Sequence, residues 1–177
     1  MLKRIPIALG LLVAVMLPGA TSATASSPAT HFVAHLTGAQ ETPPNGAKGT
    51  GTLDIRLVSN GTKLRFKLTS NGVAQISQSH IHIGARGTAG PITVYFFAIP
   101  PPPWNSVTGD NFEVGGVRTA ADVHGSHPGT VPPVPFTFAE VVAALRSGNA
   151  YVNIHSPTFP AGEIRGQITP VGDHGED

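Results

Sequence analysis

No cysteine occurs in the chain's 177 residues. That excludes disulfides and any lipid on an N-terminal cysteine, so stability must come from the core, from loop proline or from a bound ion. Charge is sparse as well. Asp, Glu, Lys and Arg make up 12% of the chain, and the formal net charge is +1. Near-neutral charge gives no electrostatic case for nucleic acid or for an anionic membrane surface. Carboxylates paired for acid–base work are missing, and no serine has the setting of a nucleophile. No catalytic residue is assigned on these grounds. Solenoid repeats are missing too. Glycine and proline are plentiful, at 21 and 17 residues. Such a mix suits a β-rich domain with many turns.

The N-terminal stretch has the grammar of an export signal. Lys3 and Arg4 form a positive n-region, Ile5 to Leu17 is an apolar run too short to span a membrane, and Ala23-Thr24-Ala25 is a cleavage site. Residues 1–25 are expected to be removed and the protein to be secreted, with no stable membrane insertion. Taking 25 from 177 residues leaves 152, one ordinary domain spanning 26–177. Its charge falls by two, from +1 to −1, with the loss of Lys3 and Arg4.

Apolar residues then alternate in short runs. Phe32, Ala34 and Leu36 mark a first strand. Gln40 to Gly49 is a loop broken by Pro43-Pro44 and Asn45-Gly46. Leu53, Ile55 and Leu57 face inward on a second strand, and Leu64, Phe66 and Leu68 on a third. Asn60-Gly61 between them suits a type I′ turn. Lys63, Arg65 and Lys67 form a solvated stripe that discourages edge pairing. An irregular entry at Val73 to Ser79 leads into the strand carrying His80 and His82. Ile92 to Ile99 is a further strand, Pro100 to Pro103 is extended, and Trp104 caps the core edge. Phe112 to Val117 is another short strand, and Asp122 to Pro135 a surface loop.

One stretch has helical spacing. Thr137 and Glu140 form a capping box, and Phe136 and Val141 are placed for a hydrophobic staple. Phe138, Val141, Val142 and Leu145 share one face, and Gly148 follows as C′ residue. The spacing predicts a helix of about ten residues closing an open end of the fold. Strands Ala150–His155 and Glu163–Thr169 follow, and Val171 to Asp177 is a polar, frayed tail.

Chemistry concentrates in two stretches, His80-Ile81-His82-Ile83-Gly84 and Tyr151-Val152-Asn153-Ile154-His155. Residues two apart share a strand face. With Ile81, Ile83, Val152 and Ile154 in the core, His80, His82 and His155 are expected on faces away from it. Imidazoles two apart have Cα atoms roughly 7 Å apart, within reach of one metal ion or anion. Copper or zinc is the candidate cofactor, with His124 or His127 as candidate fourth ligand. The plainer alternative has the three histidines bonding loop backbone. Glu163 and Arg165 share a strand face, as a structural pair or as an arginine ready for a ligand carboxylate.

These motifs also carry a resemblance. His80 to Gly84, Tyr151 to His155 and the run Gly162-Glu163-Ile164-Arg165-Gly166-Gln167 resemble the hallmarks of the chordin-type (CHRD) domain, and Phe32 to Pro44 is similar to its opening. The resemblance covers about 30–169. It implies a secreted, all-β fold: an antiparallel immunoglobulin-like sandwich or barrel, here with one short α-helix. It implies no settled activity beyond an extracellular binding or scaffold module with an unknown extracellular partner. The order of a His-x-His pair, loop histidines and a late histidine is similar to copper/zinc superoxide dismutase, although the loop histidines come later and the cysteine pair is missing. Two functions therefore stand side by side: a binding or scaffold module, and a histidine-coordinated metalloprotein.

Overall fold

The computed structural model describes residues 27–97, 106–108 and 110–172. The leader, its cleavage site, Pro100 to Pro103, Trp104 and the tail beyond Gly172 lie outside the described residues. Ten strands and one α-helix follow in chain order. They are β1 (His31–Thr37), β2 (Thr50–Val58), β3 (Lys63–Asn71), β4 (Gln75–Ile76), β5 (Gln78–Ile83), β6 (Ile92–Phe97), β7 (Val107–Thr108), β8 (Phe112–Arg118), α1 (Phe138–Ser147), β9 (Ala150–His155) and β10 (Ile164–Pro170). Eight strands form one antiparallel sheet in the order β6-β5-β9-β10-β1-β2-β3-β8, and β4 pairs with β7 apart from it. The fold is thus all-β with a single short helix among the described residues.

The sheet curls until its two end strands, β6 and β8, approach each other. Among the described residues no backbone ladder joins them. The Arg118 side chain spans the seam instead: its Nε donates to Tyr95 O at 2.8 Å and its Nη2 to Phe96 O at 3.1 Å. Phe66 stacks on Phe96 across the same seam, with ring centroids 4.2 Å apart. The result is a nearly closed barrel whose interior holds Phe32, Leu53, Ile55, Leu64, Leu68, Ile81, Val94, Val152, Ile154, Ile164 and Ile168, all shielded from solvent.

The β2–β3 hairpin follows its alternation, with Leu53, Ile55 and Leu57 opposite Leu68, Phe66 and Leu64. Its turn takes the expected positive φ at Asn60 and Gly61, 55° and 80°, and Thr62 N bonds Ser59 O across them at 3.2 Å. Ser59 is left-handed as well, and Gly61 N bonds Val58 O, so Val58 faces Lys63 across a four-residue loop. Helix α1 carries the expected cap: Glu140 N donates to Thr137 Oγ1 at 3.2 Å, and Thr137 N to Glu140 Oε2 at 2.7 Å. Gly148 ends it in the left-handed conformation at φ 70°. Val141, Val142, Ala144 and Leu145 are buried, and the helix packs on β9 and β10. It thereby braces the two strands that carry the second half of the candidate site.

Candidate functional site

Strand β5 lies between β6 and β9, so the two histidine stretches are direct neighbours. His80 faces Asn153, His82 faces Tyr151, and Gln78 faces His155. His155 is therefore diagonal to His80 on the same face. Next to it, β10 sets Arg165 opposite Asn153 and Gln167 opposite Tyr151. Parity thus gathers His80, His82, Tyr151, Asn153, His155, Arg165 and Gln167 on the outer face of the barrel wall.

That outer face is not open. The expectation that the histidines lie away from a core holds only for the barrel interior, because a second layer covers them. His80 is 0% exposed, His82 8% and His155 6%. The cover is loop backbone. Gly90 O sits 2.7 Å from His82 Nδ1, and Pro160 O lies 2.9 Å from His155 Nδ1. A Cβ on Gly90 would strike the Ile83 carbonyl oxygen, so this close approach requires glycine. Asn45 holds the neighbouring loop, its Nδ2 donating to Gly162 O and Glu163 O, each at 3.1 Å.

The three rings converge. His80 lies 4.7 Å from His82 and 4.6 Å from His155, centroid to centroid. One nitrogen from each of the three falls within 4.8 Å of the others. A carbonyl oxygen only accepts, so the contacts at Gly90 and Pro160 require hydrogen on Nδ1 of His82 and His155. In the neutral rings the lone pair is then on Nε2. Among the described residues, Nε2 of His155 has no hydrogen-bond partner, and neither nitrogen of His80 has one. Burial, helped by the His155 and His82 charges, pushes His80 down to about 2. Burial also takes His82 to about 4, against the opposing hydrogen bond to Gly90, and lowers His155. All three are therefore neutral near pH 7, and His80 and His155 offer free lone pairs to a cation. His82 Nε2 lies 3.1 Å from the Asn153 side-chain amide, which has to swing away before that nitrogen can bind one.

The candidate fourth ligands do not join this group. His127 Nε2 is 3.0 Å from Glu140 Oε1, and its ring packs on Phe136. The capping carboxylate of α1 thus holds it elsewhere. His124 meets Tyr95 edge-on at 5.5 Å, and Tyr95 in turn meets His80 at 5.1 Å. A tyrosine ring therefore separates His124 from the cluster. Among the described residues the group is His80, His82 and His155 alone.

The expected Glu163–Arg165 pair does not form as an ion pair among the described residues. Arg165 is 2% exposed and turns the other way. Its Nη1 donates to Thr42 Oγ1, and its Nη2 to Ala85 O and Thr88 O. Its guanidinium lies 3.4 Å from the centre of the Tyr151 ring, and that ring stacks on His82 at 4.5 Å and 5°. Tyr151 and Asn153 share the histidine face by parity, but only their pairing with β5 shows the contact. Tyr95 sits within the apolar run of β6 and carries no sequence signal for the site. Sequence reasoning also missed Glu41. It is a buried carboxyl whose Oε1 has no partner among the described residues, and burial pushes it up to about 7 against the Arg165 charge.

The chain matches the CHRD domain over residues 32–168, most of its length, and it belongs to that family. No curated protein and no solved structure matches it.

Proposed function

We propose that this CHRD-family chain is a secreted module that holds one transition-metal ion, copper or zinc, between His80, His82 and His155. The observation that carries the reading is a buried trio of neutral imidazoles with three nitrogens lacking partners among the described residues. A buried polar nitrogen without a partner costs about 1–3 kcal/mol, so a site with three is built at a cost that a bound cation would offset. The Gly90 and Pro160 carbonyls do for His82 and His155 what outer-shell acceptors do at metal sites: they fix the tautomer and aim Nε2.

Metal–nitrogen bonds of about 2.0–2.1 Å bring ligand nitrogens to about 3.3 Å from one another, so from within 4.8 Å the rings need close by at most about 1.5 Å. Three neutral ligands leave the ion's charge uncompensated. Copper is favoured on intrinsic affinity. Monovalent copper is favoured further, since burying a single charge costs less than burying two. A metal here would also cross-link β5 to β9, stiffening whatever extracellular surface the module presents.

The test is titration of the metal-stripped protein with Cu(I), Cu(II) and Zn(II), wild type against His80→Ala and His155→Ala. One equivalent bound by wild type and lost in both variants is expected. Equal, negligible uptake by all three proteins would leave the binding-module reading without a metal.

A further inference from the structure

Beside the histidine site, and separate from it, a cavity of about 350 Å³ opens between the loop after β1 and the loop after β5. Its walls include Gln40, Glu41, Thr42, Arg86, Arg165 and Gln167. Two guanidiniums reach it. Arg86 is exposed, and its Nη1 donates to the neutral Gln40 Oε1, at 3.2 Å. Arg165 is only 2% exposed and, among the described residues, has no ion pair within 4.0 Å. Its partners are a hydroxyl and two carbonyls, none of which cancels its charge.

A buried guanidinium with no ion pair is costly, and a second cation at the same cavity adds to the cost. Burial disfavours the protonated form of Arg165 most; the Tyr151 and Glu41 charges oppose that, and the Arg86 charge adds to it. Glu41 is the one carboxyl in the cavity wall, and among the described residues it makes no ion pair. It is held against the loop at Gly162, where φ is 133° and an added Cβ would lie 2.5 Å from Glu41 Oε1.

We infer that this cavity binds the carboxylate of a small organic acid, received between Arg86 and Arg165. Guanidinium is planar, always charged and matched to a carboxylate's two oxygens, which favours this ligand class. The volume is at the low end of small-molecule pockets, roughly 300–1,000 Å³, so the acid is a short one. Ala39 and Pro44 supply apolar wall for its carbons. Metal takes no part, so the inference stands or falls independently of the histidine site.

The experiment is calorimetric titration of the metal-stripped protein with succinate, acetate and inorganic phosphate as separate arms. Wild type should bind succinate or acetate saturably, with Kd of about 1 mM or tighter. Arg86→Ala, at an exposed side chain whose loss spares the fold, should weaken binding about fivefold or more. Glu41→Gln removes a competing carboxylate and should retain or tighten it. Arg165 is left intact because it ties two loops together. No saturable carboxylate binding, unchanged affinity in Arg86→Ala, or binding of phosphate alone would each overturn the inference.

Discussion

His80 is where fold and proposed function pull apart. Both its ring nitrogens are buried without partners among the described residues, which a purely structural residue would not tolerate cheaply. His80→Leu keeps roughly the volume and removes both polar atoms. In metal-free protein it should hold or raise the thermal midpoint while abolishing metal uptake. A drop of more than about 2 kcal/mol would mean that the imidazole is structural after all. The same burial sets a pH dependence. An unfolded histidine takes its proton near pH 6.5, whereas His82 resists until about 4 and His80 until about 2. Below pH 6.5 the unfolded state binds more protons, so metal-free protein should lose stability as pH falls from about 6.5 toward 4, and further below it. Urea midpoints across that range check this; a flat profile contradicts it. Glu41 has the opposite sign. Its folded value of about 7 lies above the ordinary 4.5, so its ionisation costs stability as pH rises through that window. The stability gained by Glu41→Gln should therefore grow between pH 4.5 and 7, by at most about 3 kcal/mol, and level off above. A gain independent of pH would contradict it. Parity alone made His80, His82 and His155 legible. Glu41 was not legible, because its burial depends on loops far apart in sequence.

At the scale of elements, local chemistry was the most readable. The Thr137–Glu140 box, the apolar stripe and Gly148 define α1 from within ten or so residues, and nothing distant competes. Thr137→Ala should cost about 1 kcal/mol, measured by chemical denaturation. The β2–β3 turn was readable too: Asn60 and Gly61 take the positive φ that their residue types favour. The additional left-handed residue, Ser59, was not, because the core registers of both flanking strands fix where the loop begins. The seam between β6 and β8 had no signal at all. Arg118 looks like any exposed strand arginine, yet it donates to two backbone carbonyls of β6. Arg118→Ala should destabilise by about 2 kcal/mol and speed amide exchange in β6 and β8 selectively. Exchange that rises uniformly, or not at all, would show the seam to be held by Phe66 and Phe96 alone.

For the whole molecule, alternation and turn residues were enough to indicate an antiparallel barrel or sandwich, while strand order was not legible. β9 and β10 are last in sequence but lie between β5 and β1. That insertion depends on contacts between residues distant in the chain, such as His82 with Asn153, and no local pattern encodes it. It is also what assembles the candidate site, since β5 and β9 share the three histidines. Within the described residues no helix is long and apolar enough to cross a membrane.

X-ray absorption at the copper edge, on wild-type protein loaded with one equivalent, tests the metal reading most directly. Three nitrogen neighbours at about 2.0 Å, with the outer scattering of imidazole rings, are expected, and both should vanish in the His80→Ala/His155→Ala double variant. A shell of oxygen alone, or the same spectrum from the double variant, would contradict it.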